Sequence, residues 1–201
     1  SVSRGLGDVY KRQSKAGIMI YIFNYASPFG NIRLTSDGEF LTNARTEFWQ
    51  GRADNKGLCP KGERETDGSS LPCLQQAAKW LDIYFGGNIP DFLPPLKLYG
   101  SDFQRTVWRL LQDIPYGTLT TYGKIADTIA RSRGCGKMSA QAVGGAVGAN
   151  PVGIIIPCHR VIGGSGSLTG YGGGLAYKVK LLELEGIDCS KLKMPKQSRF
   201  L

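Results

Sequence analysis

Apolar, aromatic and β-branched residues crowd together at residues 18–25 (Ile18, Met19, Ile20, Tyr21, Ile22, Phe23), which predicts a strand. Pro28-Phe29-Gly30-Asn31 signals a turn, and Ile32-Arg33-Leu34-Thr35 alternates as a half-buried strand does. Asp37-Gly38 marks a second turn before a third strand at residues 40–48. Together these predict an antiparallel meander. Residues 50–70 are polar and glycine-rich and read as a loop. The period then changes: Leu71, Leu74, Ala77, Ala78, Leu81, Tyr84 and Phe85 recur at helical spacing and are closed by Gly86-Gly87. Residues 90–100, with Pro94-Pro95, read as a linker, and a domain boundary is placed there.

Beyond the linker the pattern is helical. Phe103, Val107, Leu110, Leu111 and Ile114 mark a helix that Ser101 or Asp102 caps and Pro115 stops. Thr120 or Thr121 caps the next, with Ile125, Ala126, Ile129 and Ala130 on its buried face. Residues 131–137 form a basic, glycine-containing loop, and Ser139 caps a further helix through about Val147. Two short helices joined by a basic turn are compatible with a helix-turn-helix. The second carries Gly144, Gly145 and Gly148, each costing about 1 kcal/mol relative to alanine in a helix. Two readings account for them: tight packing against another helix, or a smooth face that a bulky backbone such as DNA approaches closely.

Composition narrows the class. With 41% hydrophobic and 20% charged residues the chain is an ordinary globular one, which excludes wholesale disorder. No apolar run approaches the ~18 residues of a membrane span, and no stretch near the start reads as a secretory signal. The net charge is +9, concentrated in the two ends and in residues 100–190. A basic half suits a polyanionic partner such as nucleic acid, although a solvated surface accounts for it as well. Five scattered cysteines (Cys59, Cys73, Cys135, Cys158, Cys189) with no paired spacing argue against a disulfide framework and for a cytoplasmic or nuclear protein with reduced thiols. His159 is the only histidine, and no metal is expected. Residues 1–16 are basic, lack an apolar period and read as a non-native extension ahead of a start at Met19. Residues 191–201 form a basic tail.

The chemistry sits at residues 150–162. Ile154-Ile155-Ile156 reads as a buried strand that Pro157 ends, so Cys158 stands where the chain leaves the core, beside His159 and Arg160. Nearby positive charge or a base raises the thiolate fraction of a cysteine. Neighbours in a strand point to opposite faces, so His159 reaches Cys158 only through a bent backbone or a water. A cysteine after an apolar run is otherwise a core residue. The glycine-rich residues 163–174 let a planar ligand approach the backbone, with Tyr171 as a ring to stack on, or are simply a flexible loop. Glu185 closes a helix at residues 176–185 and is either a surface charge or the third member of a relay orienting His159.

At this point the residues resemble a known family. Pro157-Cys158-His159-Arg160-Val161 is similar to the active-site signature of the O6-alkylguanine-DNA alkyltransferases, the methylated-DNA–protein-cysteine methyltransferases. Phe103-Gln104 with Val107-Trp108, Ile114-Pro115-Tyr116-Gly117, Thr121-Tyr122-Gly123, Ala142-Val143-Gly144, Asn150-Pro151, Gly170-Tyr171, and Leu181-Leu182 with Glu185-Gly186 fall in the family's order and spacing. The resemblance covers residues 100–187 closely and residues 19–98 loosely, through the strands and the helix ending Tyr84-Phe85-Gly86.

The resemblance implies an α/β (α+β) protein of two domains. Residues 17–98 would form a ribonuclease-H-like small sheet with helices. Residues 99–190 would form a winged-helix-like DNA-binding domain that carries the cysteine. It implies direct DNA repair: an O6-alkylguanine is flipped out of the duplex, since its target atom is unreachable in the stack, and Cys158 takes the alkyl group once, without turnover or cofactor. His159 would take the thiol proton through a water, Glu185 would hold the histidine, and Asn150 would order the active-site turn. Tyr122 would donate toward the base, Lys178 would lie near its O6 side, and Tyr171 with Val161 would wall the pocket. The helix from Ser139 would enter the minor groove of double-stranded DNA, with Ala142, Gly144 and Gly145 allowing close approach. Arg131, Arg133, Lys137 and Arg160 would add DNA contacts, and the protein would act as a monomer.

One departure stands out. Many members place an arginine where this chain has Gln141, and that arginine fills the gap left by the extruded base. The loop at residues 131–137 is also longer than common forms. The competing readings are a non-catalytic alkylated-DNA-binding relative, a Cys-His hydrolase with an oxyanion hole and turnover, and a structural DNA-binding module in which Cys158 is core.

Overall fold

The computed structural model describes residues 19–49 and 64–194. The extension at 1–16, the stretch 50–63 with Cys59, and residues 195–201 of the tail lie outside the described residues. The predicted meander is present as β1 (Met19–Ser27), β2 (Gly30–Ser36) and β3 (Leu41–Thr46). β1 and β2 pair antiparallel with Phe23 opposite Leu34 and Tyr25 opposite Ile32, and β3 pairs antiparallel with β2 on its other side. Alternation sets the buried face: Ile32, Leu34 and Ser36 are buried while Asn31 and Arg33 are exposed.

A fourth strand, β4 (Arg64–Asp67), pairs parallel with β1 and gives the sheet order β3-β2-β1-β4. It falls where the sequence reads as loop. All its residues are exposed, so no apolar alternation announces it; the backbone edge of β1 recruits it. Helix α1 (Pro72–Phe85) starts with proline in its first turn and lays Leu74, Ala77, Leu81 and Tyr84 into the core.

The second half opens with α2 (Asp102–Gln112), held by a capping box between Ser101 and Gln104. Then come β5 (Thr120–Thr121), α3 (Tyr122–Ser132) capped by Thr121, and α4 (Ala140–Gly148) capped by Ser139. A single 3-10 turn, Cys158–Arg160, leads into β6 (Val161–Ile162), which pairs parallel with β5. Helix α5 (Leu175–Leu184) follows. The Trp108 indole donates to the Ala146 carbonyl at 2.8 Å and fixes α2 against α4.

One core runs through both halves, from Leu34, Leu41 and Tyr84 to Val107, Trp108, Val143 and Ile156. The expected linker is tied down: Leu41 N–H donates to the Pro95 carbonyl at 2.8 Å and Lys97 N–H to the Leu41 carbonyl at 3.1 Å. Further along β3, Ala44 N–H donates to Pro151 at 3.0 Å, and Gly153 N–H donates back to Ala44 at 2.9 Å. The outer strand of the N-terminal sheet thus holds the segment that leads into Cys158.

That segment corrects an expectation. Ile154-Ile155-Ile156 is a bridged turn, not a strand: Gly153 pairs with Ile156, and Ile156 N–H donates to the Val152 carbonyl at 3.0 Å. Ile154 sits at φ 70 and is buried, a conformation that costs a β-branched residue roughly 1–3 kcal/mol. Core burial of three isoleucines supplies the apolar signature of a strand, while hydrogen bonds from Asn150 fold the backbone back.

Candidate active site

Asn150 lies two residues beyond the end of α4 and is fully buried. Its carbonyl oxygen accepts from Val152 N–H at 3.1 Å. Its amide donates to the Ile156 carbonyl at 2.8 Å and stands 3.1 Å from Cys158 Sγ. The same side chain therefore spans the turn and touches the sulfur, a contact with Cys158 that goes beyond the ordering of the turn read from the sequence. Pro157, with ψ 63, continues the bend, and Cys158 N–H donates to the Ile156 carbonyl at 2.8 Å.

The bent backbone turns His159 inward. Its ring is fully buried, and Nε2 lies 2.7 Å from Glu185 Oε1. Glu185 is the C-cap of α5 with its side chain wholly enclosed, so it is no surface charge but the buried partner of His159. It also accepts from Arg160 Nε and Nη2 (each 2.9 Å), Tyr84 Oη (2.8 Å) and Gly117 N–H (3.1 Å). Burial pulls the Glu185 carboxyl up, but the bonds from His159 and Arg160 prevail and hold it at about 2. A permanent carboxylate on Nε2 fixes the Nε2–H tautomer and leaves Nδ1 as the basic nitrogen. Nδ1 is buried and has no protein partner among the described residues.

Burial pushes the Cys158 thiol up, against the pull of Asn150, Lys178 and the backbone N–H groups of Cys158 and His159. Burial also holds His159 below the usual imidazole range, with Glu185 pulling the other way. The resting pair is thus a thiol and a neutral imidazole. Of the two routes to a thiolate, nearby positive charge is outweighed by desolvation, and a base remains.

The residues expected around the base converge beside the sulfur. Lys178 is buried on α5 and donates to the Val161 carbonyl at 2.6 Å and to the Thr169 carbonyl at 3.3 Å. Burial brings its ammonium down to about 8. Tyr122 Oη donates to the same Thr169 carbonyl at 3.1 Å, and burial and Cys158 raise its phenol to about 12. Tyr171 is buried with its ring 6.4 Å from that of His159, and its hydroxyl has no protein partner among the described residues. Gly170, at φ +80, lies so near Tyr122 that a Cβ would come within 2.7 Å of its hydroxyl. Residues 163–174 are therefore a fitted wall, with Leu168 and Tyr171 buried, more than a flexible loop.

Along α4 and the loop before it, Arg131, Arg133, Lys137, Ser139, Gln141, Ala142 and Gly145 are exposed, and Gly144 is half-buried. Among the described residues, added Cβ atoms at Gly145 and Gly148 would meet nothing within 4 Å, and one at Gly144 would meet only the Tyr122 ring at 3.8 Å. Packing within the protein does not require these glycines. Arg160 departs from expectation. It faces inward, bound to Glu185 and to the Ile114 carbonyl (2.6 Å), so it is no DNA-surface residue. A guanidinium this enclosed needs a carboxylate, and Glu185 supplies it.

Sequence reasoning passed over three members of this network. Tyr84 reads as one more apolar position of α1. The Gly117 N–H reaches Glu185 from a turn at φ +69, where a Cβ would come within 3.0 Å of the Glu185 carbonyl. The Ile114 carbonyl carries no side-chain signal at all. For Gly117 the turn signal Pro115-Tyr116-Gly117 was the available clue.

The family pattern described as 6-O-methylguanine DNA methyltransferase, DNA binding domain, matches residues 102–187. The methylated-DNA–protein-cysteine methyltransferase of Haemophilus influenzae is 41% identical over 84% of this chain and 87% of its own. Its namesake from Methanosarcina acetivorans is 39% identical over 83% of this chain and 99% of its own. The crystal structure of Mycobacterium tuberculosis OGT in complex with DNA superimposes with a TM-score of 0.66 at 41% identity, covering 84% of this chain and 92% of that one. Identity of this extent, reaching back through the N-terminal sheet, places the chain in the methylated-DNA–protein-cysteine methyltransferase family.

Proposed function

We infer that this protein repairs DNA by moving the alkyl group of an O6-alkylguanine onto Cys158, once per molecule. The observation that carries the reading is the buried Cys158 sulfur held by Asn150 beside a His159–Glu185 pair whose free nitrogen is basic. In the reaction His159 Nδ1 takes the thiol proton through a water. The sulfur attacks the alkyl carbon, the S–C bond forms, and the C–O6 bond breaks with its electron pair going to the base. Tyr122 donates toward the departing base so that it leaves as neutral guanine, and Lys178 lies on its O6 side. The thioether has no leaving group that water can displace easily, so the protein is spent.

The partner is double-stranded DNA, entered from the minor groove by α4. Glycines that packing does not require leave room for a sugar-phosphate backbone, and Arg131, Arg133 and Lys137 supply phosphate contacts. Arg133 is steadied by its cation–π contact with Phe103 at 5.7 Å. We take the protein to act as a monomer, the site being assembled from Cys158, His159, Glu185 and Tyr122 without needing a second copy.

The test is stoichiometry. With a growing excess of duplex carrying O6-methylguanine, repaired guanine is expected to plateau at one per protein, with intact mass rising by one methyl in place of hydrogen. Product in excess of protein supports the Cys-His hydrolase and overturns the reading, as does DNA binding without mass gain. Gln141 stands where it fills the gap behind the extruded base. Gln141→Ala is expected to slow repair of duplex about tenfold, equivalent to ~1.4 kcal/mol of the few kcal/mol that extrusion costs, and to spare repair of the free base. Equal loss on both substrates removes Gln141 from that role.

A further inference from the structure

Tyr84 is the one side chain of the N-terminal helix that hydrogen-bonds into the His159–Glu185 pair among the described residues. Its hydroxyl lies 2.8 Å from Glu185 Oε1 and 3.3 Å from His159 Nε2. Oε1 also faces His159 Nε2 at 2.7 Å and Arg160 Nη2 at 2.9 Å. With Arg160 Nε at 3.1 Å as well, one oxygen with two lone pairs serves four donor atoms from three residues, and what one takes the others lose. The ring cannot swing away: it stacks on Trp80 at 5.3 Å and meets Phe85 and Tyr116 edge-on at 5.4 and 6.0 Å.

We propose that Tyr84 is a positioning residue for alkyl transfer, its hydroxyl drawing off part of the charge of Glu185 and so setting how firmly His159 holds the proton taken from Cys158. The inference rests on the function proposed above. Burial and the Glu185 charge raise the phenol far above its ordinary value, so Tyr84 donates at every working pH. The other groups facing the His159 ring are Glu185 and Lys178 from the α5 segment, Arg160 from its own turn and Tyr171 from the glycine-rich wall, while the Cys158 sulfur accepts from the His159 backbone N–H. Among the described residues Tyr84 alone combines hydrogen-bond reach of Nε2 with an origin outside the C-terminal half. The N-terminal half is then part of the chemistry as well as a scaffold.

Removing the hydroxyl leaves Glu185 bound to His159, Arg160 and Gly117, so Tyr84→Phe keeps a satisfied carboxylate and the same ring. With less of its charge shared, Glu185 makes His159 a stronger base, and the neutral imidazole that accepts the proton persists only at higher pH. Single-turnover methyl transfer from duplex O6-methylguanine is therefore followed from about pH 5.5 to 9, alongside iodoacetamide labelling of Cys158 read by mass. For Tyr84→Phe the acid limb of both profiles is expected to move up by about 0.5–1 unit, so that transfer on that limb, near pH 5.5, falls about 3–10-fold while transfer above pH 7 stays within about twofold, a fraction of the 10²–10⁴ that a positioned base contributes. DNA affinity stays the same. Trp80→Phe, which removes a packing ring and keeps the hydroxyl, leaves the limb in place. Incorporating 3,5-difluorotyrosine at position 84 preserves shape, strengthens the donor and moves the limb down, and it decides the matter should Tyr84→Phe fold poorly. A limb that stays put in both Tyr84 variants, or a rate that falls equally at every pH, overturns the proposal. If wild type labels with iodoacetamide but transfers nothing from DNA, the proposed function fails, while the iodoacetamide profiles still judge Tyr84.

Discussion

Cys158→Ala is expected to bind alkylated duplex with wild-type affinity and to transfer nothing, with intact mass unchanged after any length of incubation. The change is almost silent structurally. It removes one buried sulfur at a cost of about 1 kcal/mol of lost packing. The Asn150 amide keeps the Ile156 carbonyl at 2.8 Å, and its oxygen keeps Val152 N–H, so the turn retains its order. Cys135 serves as an internal control. It is exposed in the basic loop beside α4, whereas Cys158 is buried. Indiscriminate methylation of thiols would mark Cys135 first, and alanine at 158 would leave that signal intact. Transfer that needs the Asn150, His159 and Glu185 surroundings marks only Cys158. Peptide mass mapping of wild type and variant separates the two, and methyl found on Cys135 in both refutes the assignment.

How far the sequence carries depends on the range of the interaction. Ser139 caps its helix as read, and Ser101 and Thr121 decide the choices left open with Asp102 and Thr120; caps are legible because each is a contact three residues long. The relay of Cys158, His159 and Glu185 was reachable through the family resemblance, which fixes Glu185 beside a histidine 26 residues earlier. Features made by distant partners were not legible. Arg160 reads as a DNA contact until the Ile114 carbonyl, 46 residues upstream, and Glu185 enclose it. Tyr84 is 101 residues from the carboxylate it touches. β4 is polar throughout and exists because β1 offers an edge, and the isoleucine run turns because Asn150 draws it round. Each is a tertiary decision with no local pattern.

Glu185→Gln is expected to be the most damaging isosteric change in the protein. The carboxylate carries bonds from His159, Arg160, Tyr84 and Gly117, all donors. Glutamine keeps one acceptor oxygen and turns an amide toward the rest, so Arg160 is left buried without a counter-charge. Breaking a buried pair from one side costs about 3–5 kcal/mol, which lowers Tm by roughly 10 °C for a chain of this size. Alkyl transfer falls as well, by about 10²–10³, because His159 loses the partner that fixes its tautomer. The pH dependence identifies the cause. Glu185 is held at about 2, below its ordinary value of 4.5, so the stability it contributes is fully present above 4.5 and is lost as pH falls from there toward 2. Glutamine has no such dependence. The gap in Tm between wild type and Glu185→Gln should therefore be widest near neutral pH and narrow steadily below about 4.5. Calorimetric melting at several values between pH 7 and 3 measures it. A gap that stays constant down to pH 3 would place the loss in packing and take the charge of Glu185 out of the account of stability.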